Sequence, residues 1–338
     1  MDTSAVDYDL PEAAIAQTPV EPRDAARLLI DNGPGHAPDH RTVADVPSLL
    51  RPGDVVVLNT TRVLPARLLL TKLSGGAVEV LLLEPTDAEE RCWEALVRPS
   101  RKVAAGTRLV AGPDLEVVVG EDLEEGRRRI QLELGPDLGV LAALERYGVV
   151  PLPPYITTPL RDPERYQTTY AVEPGSVAAP TAGLHLTAEV LAGIEATGAT
   201  IAPVELVVGL GTFRPIATDR VEEHRMHAER YRVPESTMAA CVEAERVIAI
   251  GTTTVRALES AHASGALWGR TDLFIYGDRR LEVVDVLLTN FHQPRSSLLV
   301  LIDAFVGPRW RALYAEALRS GYRFLSFGDA MLLRGVRG

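Results

Sequence analysis

ARLLL (66–70), AVEVLLLEP (77–85), CWEALVRP (92–99), TRLVAG (107–112), LEVVVGE (115–121) and RRIQLEL (128–134) follow one another with Gly, Pro and acidic turns between them. Short apolar runs at this spacing predict a small barrel or sandwich, not strand–helix–strand crossovers. The tract has clear edges. Ahead of it, GDVVVLNTTRVLPARL (53–68) follows a turn at Pro52-Gly53 and carries a buried strand at 55–58, from whose end polar residues 59–62 emerge. Behind it come a helix-like segment at 139–147 and PLPPYI (151–156), whose prolines exclude regular structure and mark a stiff boundary.

Outside the tract, helix and strand alternate. The pattern predicts a helix at 187–197, with Leu191 and Ile194 on one side, then a strand at 201–208, a helix at 236–245, a strand at 247–250 and a helix at 253–263. Strands near Leu273 and Val283, an apolar helix at 297–305, a helix at 309–319 and a last strand around 323–326 complete it. At the other end, a short helical pattern follows Pro11, and in EPRDAARLLI (21–30) Arg23 and Asp24 precede an apolar, strand-like end. The class is α/β, with a mainly β segment inserted into it.

The 338 residues suffice for two domains with full cores, and 46% hydrophobic with 24% charged residues is a globular composition. No apolar run is long enough to span a bilayer and the N-terminus lacks the regions of a signal peptide, so a cytoplasmic protein without membrane association is expected. Cys92 and Cys241 have no ligand-spaced partner, so neither a disulfide framework nor a zinc site is indicated. A net charge of −11 argues against non-specific coating of nucleic acid but leaves room for a local basic groove. Arginines cluster at 98–102, at 127–129 and between 309 and 323.

Five stretches carry candidate chemistry. SVAAPTAGLHLT (176–187) is too small-residued to supply a core face and brings its backbone, with Thr181, Gly183 and His185, close to something at a helix entrance. VELVVGLGTF (204–213) resembles a nucleotide-binding turn through Gly209, Gly211 and Thr212, but Pro215 falls where the phosphate-binding helix would start. EEHRMHAE (222–229) places His224 and His227 three apart among acids, better suited to proton transfer than to a metal, since no third ligand is evident. IGTTTVRALES (250–260) offers Thr252, Thr253 and a helix start to an anion, with Arg256 one turn in. LLTNFHQPRSS (287–297) repeats the arrangement with Asn290, His292 and Arg295 before a helix capped by Ser296 or Ser297.

Together with RYQTTYA (165–171), GLGTFRPI (209–216) and YRFLSFGDAML (322–332), these stretches resemble the S-adenosylmethionine:tRNA ribosyltransferase-isomerases of queuosine synthesis, in the family's order from about Tyr8 to Leu333. The resemblance implies a main α/β domain (1–61 and 153–338) interrupted by an inserted small open β-barrel domain (62–152). It implies transfer of the ribosyl part of S-adenosylmethionine to 7-aminomethyl-7-deazaguanine at the tRNA wobble position, with loss of adenine and methionine. The partners are then a tRNA anticodon stem-loop and S-adenosylmethionine, with no further cofactor and no metal, and the protein is expected to be a monomer. Under this resemblance His185 is the first choice for proton transfer, with His224, His227 and His292 as alternatives. Asn59, Arg62 and Arg67 are assigned to RNA or the deazaguanine, Thr252, Thr253 and Arg256 to a carboxylate or phosphate, and Asn290, Arg295 and Asp329 to the rest of the pocket.

The chain departs from the family pattern in those same loops. Thr60 stands where the pattern has an aspartate, Leu186 where it has an aromatic, Val207 where it has a histidine and Ala228 where it has a serine. Losing a carboxylate and a hydrogen-bonding ring leaves two alternatives open. One is a paralogue using a SAM-like donor with a non-tRNA acceptor; the other is a catalytically silent protein that binds tRNA or a nucleoside.

Overall fold

The computed structural model describes residues 1–123, 126–209 and 215–335. The chain forms two compact units: Met1–Arg62 with Pro153–Glu173 and Ala179–Gly338, and Val63–Leu152 with Pro174–Ala178.

The strands, in chain order, are β1 (Arg27–Ile30), β2 (Asp39–Thr42), β3 (Asp54–Asn59), β4 (Thr61–Val63), β5 (Arg67–Lys72), β6 (Ala77–Pro85), β7 (Cys92–Arg98), β8 (Arg108–Gly112), β9 (Leu115–Asp122), β10 (Arg127–Leu134), β11 (Gly148–Val149), β12 (Glu173–Ser176), β13 (Thr200–Leu206), β14 (Glu229–Arg232), β15 (Arg246–Ile250), β16 (Trp268–Thr271), β17 (Val286–Asn290) and β18 (Ala330–Arg334). The α-helices are α1 (Val140–Tyr147), α2 (Ala188–Ala196), α3 (Glu235–Glu243), α4 (Thr252–Ser264), α5 (Ser297–Val306) and α6 (Trp310–Arg319).

In the smaller unit the apolar runs become strands β5 to β10. Along β7, β9 and β10 buried residues alternate with more exposed ones, the period of a sheet with one face inward. The strands pair antiparallel in the order β5-β6-β7-β10-β9-β8, and β8 returns to β5 through Thr71↔Val110 and Lys72↔Leu109. The expected open barrel is therefore a closed one of six strands, because β5 is long enough to pair β6 along most of its length and β8 at its end. Arg127, Arg128 and Arg129 are used inside this unit: Arg127 pairs with Glu94 at 2.6 Å, Arg129 with Glu121 at 3.2 Å, and Arg128 donates to the carbonyls of Val103 and Gly120.

The larger unit holds a nine-stranded sheet in the order β16-β14-β13-β3-β15-β17-β18-β1-β2. Its centre, β13-β3-β15-β17, is parallel throughout. The middle strands are continuous buried runs, as expected of parallel strands covered on both faces. Helices α2 to α6 begin within a residue of the positions predicted for them. Three strands are displaced: residues near Leu273 and Val283 lie outside β16 and β17, and the last strand is β18, not 323–326. Residues 323–326 turn instead, with Leu325 at φ 69°, and the Asp329 carboxylate accepts the backbone N–H of Arg323 and of Arg27 at 2.8 and 2.9 Å.

Candidate functional site

Because β13, β3, β15 and β17 are parallel, their carboxyl ends open on one side of the sheet. β17 pairs antiparallel with β18, so Asn290 comes to lie opposite Ala330 at that edge. An open cleft lies at the ends of β15 and β17, lined by Thr181, Gly251, Thr252, Thr253, Thr289, Asn290, His292 and Ser296, with Tyr155 and Ser326 on its wall. Its place is where α/β sheets hold ligands. The two strand-end loops singled out from sequence therefore line one cavity.

Asn290 is the centre of a buried network. Its side-chain amide donates to the Asp329 carbonyl at 3.4 Å, which fixes the amide orientation because a carbonyl only accepts. Asn290 Oδ1 then accepts from the Thr181 hydroxyl at 2.8 Å, and Nδ2 meets His185 Nε2 at 3.2 Å. A ring nitrogen facing an N–H donor must itself accept, so His185 is the neutral tautomer carrying its proton on Nδ1. Burial, reinforced by Arg165, Arg23 and Arg323, pushes the His185 pKa down to about 4, in agreement with that state. His185 thus sits behind Asn290, facing a second small cleft shared with Arg23 and Arg165.

His292 is the histidine that lines the cavity. Its Nε2 lies 3.0 Å from the Thr289 hydroxyl, and burial lowers its pKa to about 3. Its backbone is held from both sides: the Tyr8 hydroxyl donates to its carbonyl at 2.6 Å and its N–H donates to the Tyr314 hydroxyl at 3.0 Å. The Tyr8 and Tyr314 rings meet edge to face, 5.1 Å apart, in an aromatic cluster with Phe291, Trp310 and Phe324. Strand β17 ends on this cluster, which gives His292 a rigid footing.

Several residues named from sequence are polar and well placed in the chain but turned to structural work. Asn59 Oδ1 accepts the N–H of Leu206 and of Thr61, and its Nδ2 donates to the Leu206 carbonyl, so the side chain clamps β3 to β13. Arg256 is buried against Glu229, whose other oxygen accepts the Gly209 N–H at 2.8 Å. Gly183 is packing: a Cβ there would stand 1.9 Å from the Tyr170 hydroxyl. Asp329 spends its carboxylate on the two backbone N–H groups described above. Arg295 takes φ 55° and bonds through its backbone N–H to Val6, with its Nε buried and unpartnered. Arg62 pairs with Glu164 at 2.5 Å near the surface, and Arg67 belongs to the barrel, where Glu79 is 3.9 Å away.

His224 closes a short 3₁₀ turn and stacks edge to face on Phe274, its pKa lowered by burial and by His227; neither histidine lines the cavity. Among the described residues no three metal-ligating side chains cluster. Gly211 and Thr212 lie outside the described residues. Of the four positions that depart from the family pattern, Leu186 is fully buried in the core and Val207 donates its N–H to the Arg230 carbonyl. Thr60 bonds to the Val204 carbonyl, and the carbonyl of exposed Ala228 accepts from Arg270. Tyr155 and Ser326, joined by a 2.7 Å hydrogen bond, escaped the sequence reading, as did Thr289. The prolines of PLPPYI mark a boundary, and nothing in them marks the tyrosine as a wall of the cavity.

A cavity lined by uncharged, mostly apolar surface with a few convergent polar groups, at the strand ends of a mixed α/β unit, is the form of a small-molecule site in an α/β protein. Residues 3–333 match the family described as queuosine biosynthesis protein, and the chain belongs to it. It is 50% identical to the S-adenosylmethionine:tRNA ribosyltransferase-isomerase of Rubrobacter xylanophilus, over 99% of this chain and 98% of that one. It is 52% identical to the protein of the same name from Gloeobacter violaceus, over 98% and 95%. Among solved structures it is similar to the crystal structure of S-adenosylmethionine tRNA ribosyltransferase from Thermotoga maritima, with a TM-score of 0.55 and 36% identity over 97% of this chain and 99% of that one.

Proposed function

We propose that this chain is an S-adenosylmethionine:tRNA ribosyltransferase-isomerase. It transfers and isomerises the ribosyl part of S-adenosylmethionine onto 7-aminomethyl-7-deazaguanine at the tRNA wobble position, leaves epoxyqueuosine, and releases adenine and methionine. The observation that carries this reading is identity near 50% to proteins of that name along essentially the whole of both chains. Neither Thr60 nor Val207 lines the cavity, which favours the standard reaction over a changed acceptor or a silent binder.

The chemistry asks for a base beside the sulfonium, help for the departing adenine and a neutral attacking amine. His292, neutral and on the cavity wall beside Thr289, is the group we assign to accept the proton. His185 acts through Asn290, as a positioning residue that holds the amide and, through it, Thr181. A neutral pair suits a cationic sulfonium substrate, since a protonated imidazole beside it would add like-charge repulsion. Nothing in the sequence of bond changes calls for a metal or a redox cofactor, and action on tRNA supports a cytoplasmic location.

The test is adenine release from S-adenosylmethionine with two anticodon stem-loops, one carrying 7-aminomethyl-7-deazaguanine and one carrying guanine. Release with the first only supports the reading. Release with both, or with neither, from folded protein contradicts it.

A further inference from the structure

Helix α4 starts without a cap. Its N-cap is Gly251, at φ 88°, which has no side chain to offer the first-turn amides, and no side-chain cap is made. Two residues on, Thr253 is 8% exposed, and its hydroxyl is buried with no hydrogen-bond partner in the structure. The adjacent Thr254 hydroxyl behaves otherwise, donating to the Ile250 carbonyl at 2.8 Å. Gly251, Thr252 and Thr253 all line the strand-end cavity. Thr253 Oγ1 lies only 3.6 Å from where a Cβ on Gly251 would stand, so the missing side chain leaves the hydroxyl and the helix start side by side.

A buried, unsatisfied hydroxyl is costly unless something completes it, and an uncapped helix of 13 residues presents amide donors and a partial positive charge at the same place. We infer that the start of α4, with Thr253 Oγ1 as donor, is the seat of the carboxylate of the methionyl part of S-adenosylmethionine. The inference rests on the proposed function and adds which end of that substrate the protein grips here. Arg256, one turn further in, is held by Glu229, so recognition is by amides and a hydroxyl and not by a guanidinium. A carboxylate at the end of a slender aliphatic chain can reach so enclosed a hydroxyl; a phosphodiester would have to bring a ribose on each side.

The experiment is equilibrium dialysis of the full chain with a stem-loop carrying guanine at the wobble position, using S-adenosylmethionine and its decarboxylated analogue as ligands. Thr253→Val keeps the side-chain shape and removes the donor. Loss of one hydrogen bond to a charged group weakens S-adenosylmethionine binding by about ten- to a hundredfold. Binding of the analogue should change by less than about twofold, and Thr253→Ser should restore the affinity for S-adenosylmethionine. Equal weakening of both ligands by Thr253→Val, or a loss of RNA affinity with ligand discrimination intact, overturns the seat; the second result would assign the donor to a phosphate. Should Thr253→Val not fold, the unmodified protein still decides, because equal affinity for the two ligands refutes a carboxylate seat. Folded protein that releases adenine yet shows no such discrimination sinks the seat alone, whereas protein that binds neither ligand contradicts the proposed function and the seat with it.

Discussion

Acidification from pH 7 to pH 5 should loosen the larger unit through two histidines that the fold keeps neutral. An imidazole ordinarily titrates near 6.5, whereas burial holds His185 at about 4 and His292 at about 3. At pH 5 the unfolded chain protonates both rings almost fully, whereas the folded chain protonates His185 to about a tenth and His292 hardly at all. The unfolded state then binds more protons, so stability present above pH 6.5 is lost as the pH falls toward the folded values. Between pH 7 and pH 5 the loss is about 2 kcal/mol for each histidine. Urea unfolding reads this cleanly in a Trp93→Phe background, because the remaining tryptophans, Trp268 and Trp310, both belong to the larger unit. His185→Gln keeps an acceptor for Asn290 and removes the titration. Carboxylates cancel in the comparison, so the parent should lose about 2 kcal/mol more than the His185→Gln variant over this range. Parallel pH dependences, differing by less than about 0.5 kcal/mol, would refute the assignment of His185 as a buried neutral acceptor.

Other perturbations probe the rest of the site. Gly183→Ala drives a methyl into the Tyr170 hydroxyl and should destabilise by about 1–3 kcal/mol, and Tyr170→Phe, which deletes a buried unpartnered hydroxyl, should recover part of that in the double variant's melting temperature. Glu229→Gln leaves buried Arg256 without its counter-charge and should cost about 3–5 kcal/mol in thermal unfolding; adding Arg256→Met should cost less than the sum of the single changes. His292→Gln should lower kcat for adenine release by about a hundred- to ten-thousandfold while leaving the KM for RNA within about twofold, and an unchanged kcat would remove His292 from proton transfer.

The inserted barrel was legible because one face of each strand is buried and the apolar alternation records it, as in Trp93, Ala95 and Val97 along β7. Its closure was not, since pairing of Thr71 and Lys72 with β8 depends on strand length and stagger, which composition does not report. At the cavity, the loops were legible and the roles were not. Thr181, Thr252, Thr253, Asn290 and His292 do meet at the cavity. Asn59, Asp329 and Arg256 come from the same kinds of strand-end and helix-start positions, yet they satisfy backbone groups or a buried carboxylate. A polar residue at a strand end serves either purpose, and only the direction of its side chain separates them. The last strand was misplaced because YRFLSF has the apolar alternation of a strand, while Leu325 at positive φ breaks it and Asp329 fastens the turn.

The most direct test of the account is the intact mass of an anticodon stem-loop carrying 7-aminomethyl-7-deazaguanine after incubation with the protein and S-adenosylmethionine, followed alongside free adenine. The RNA should gain one epoxycyclopentanediol unit for each adenine released. Adenine release with no change in RNA mass, or folded protein that binds both substrates and changes neither, would contradict it.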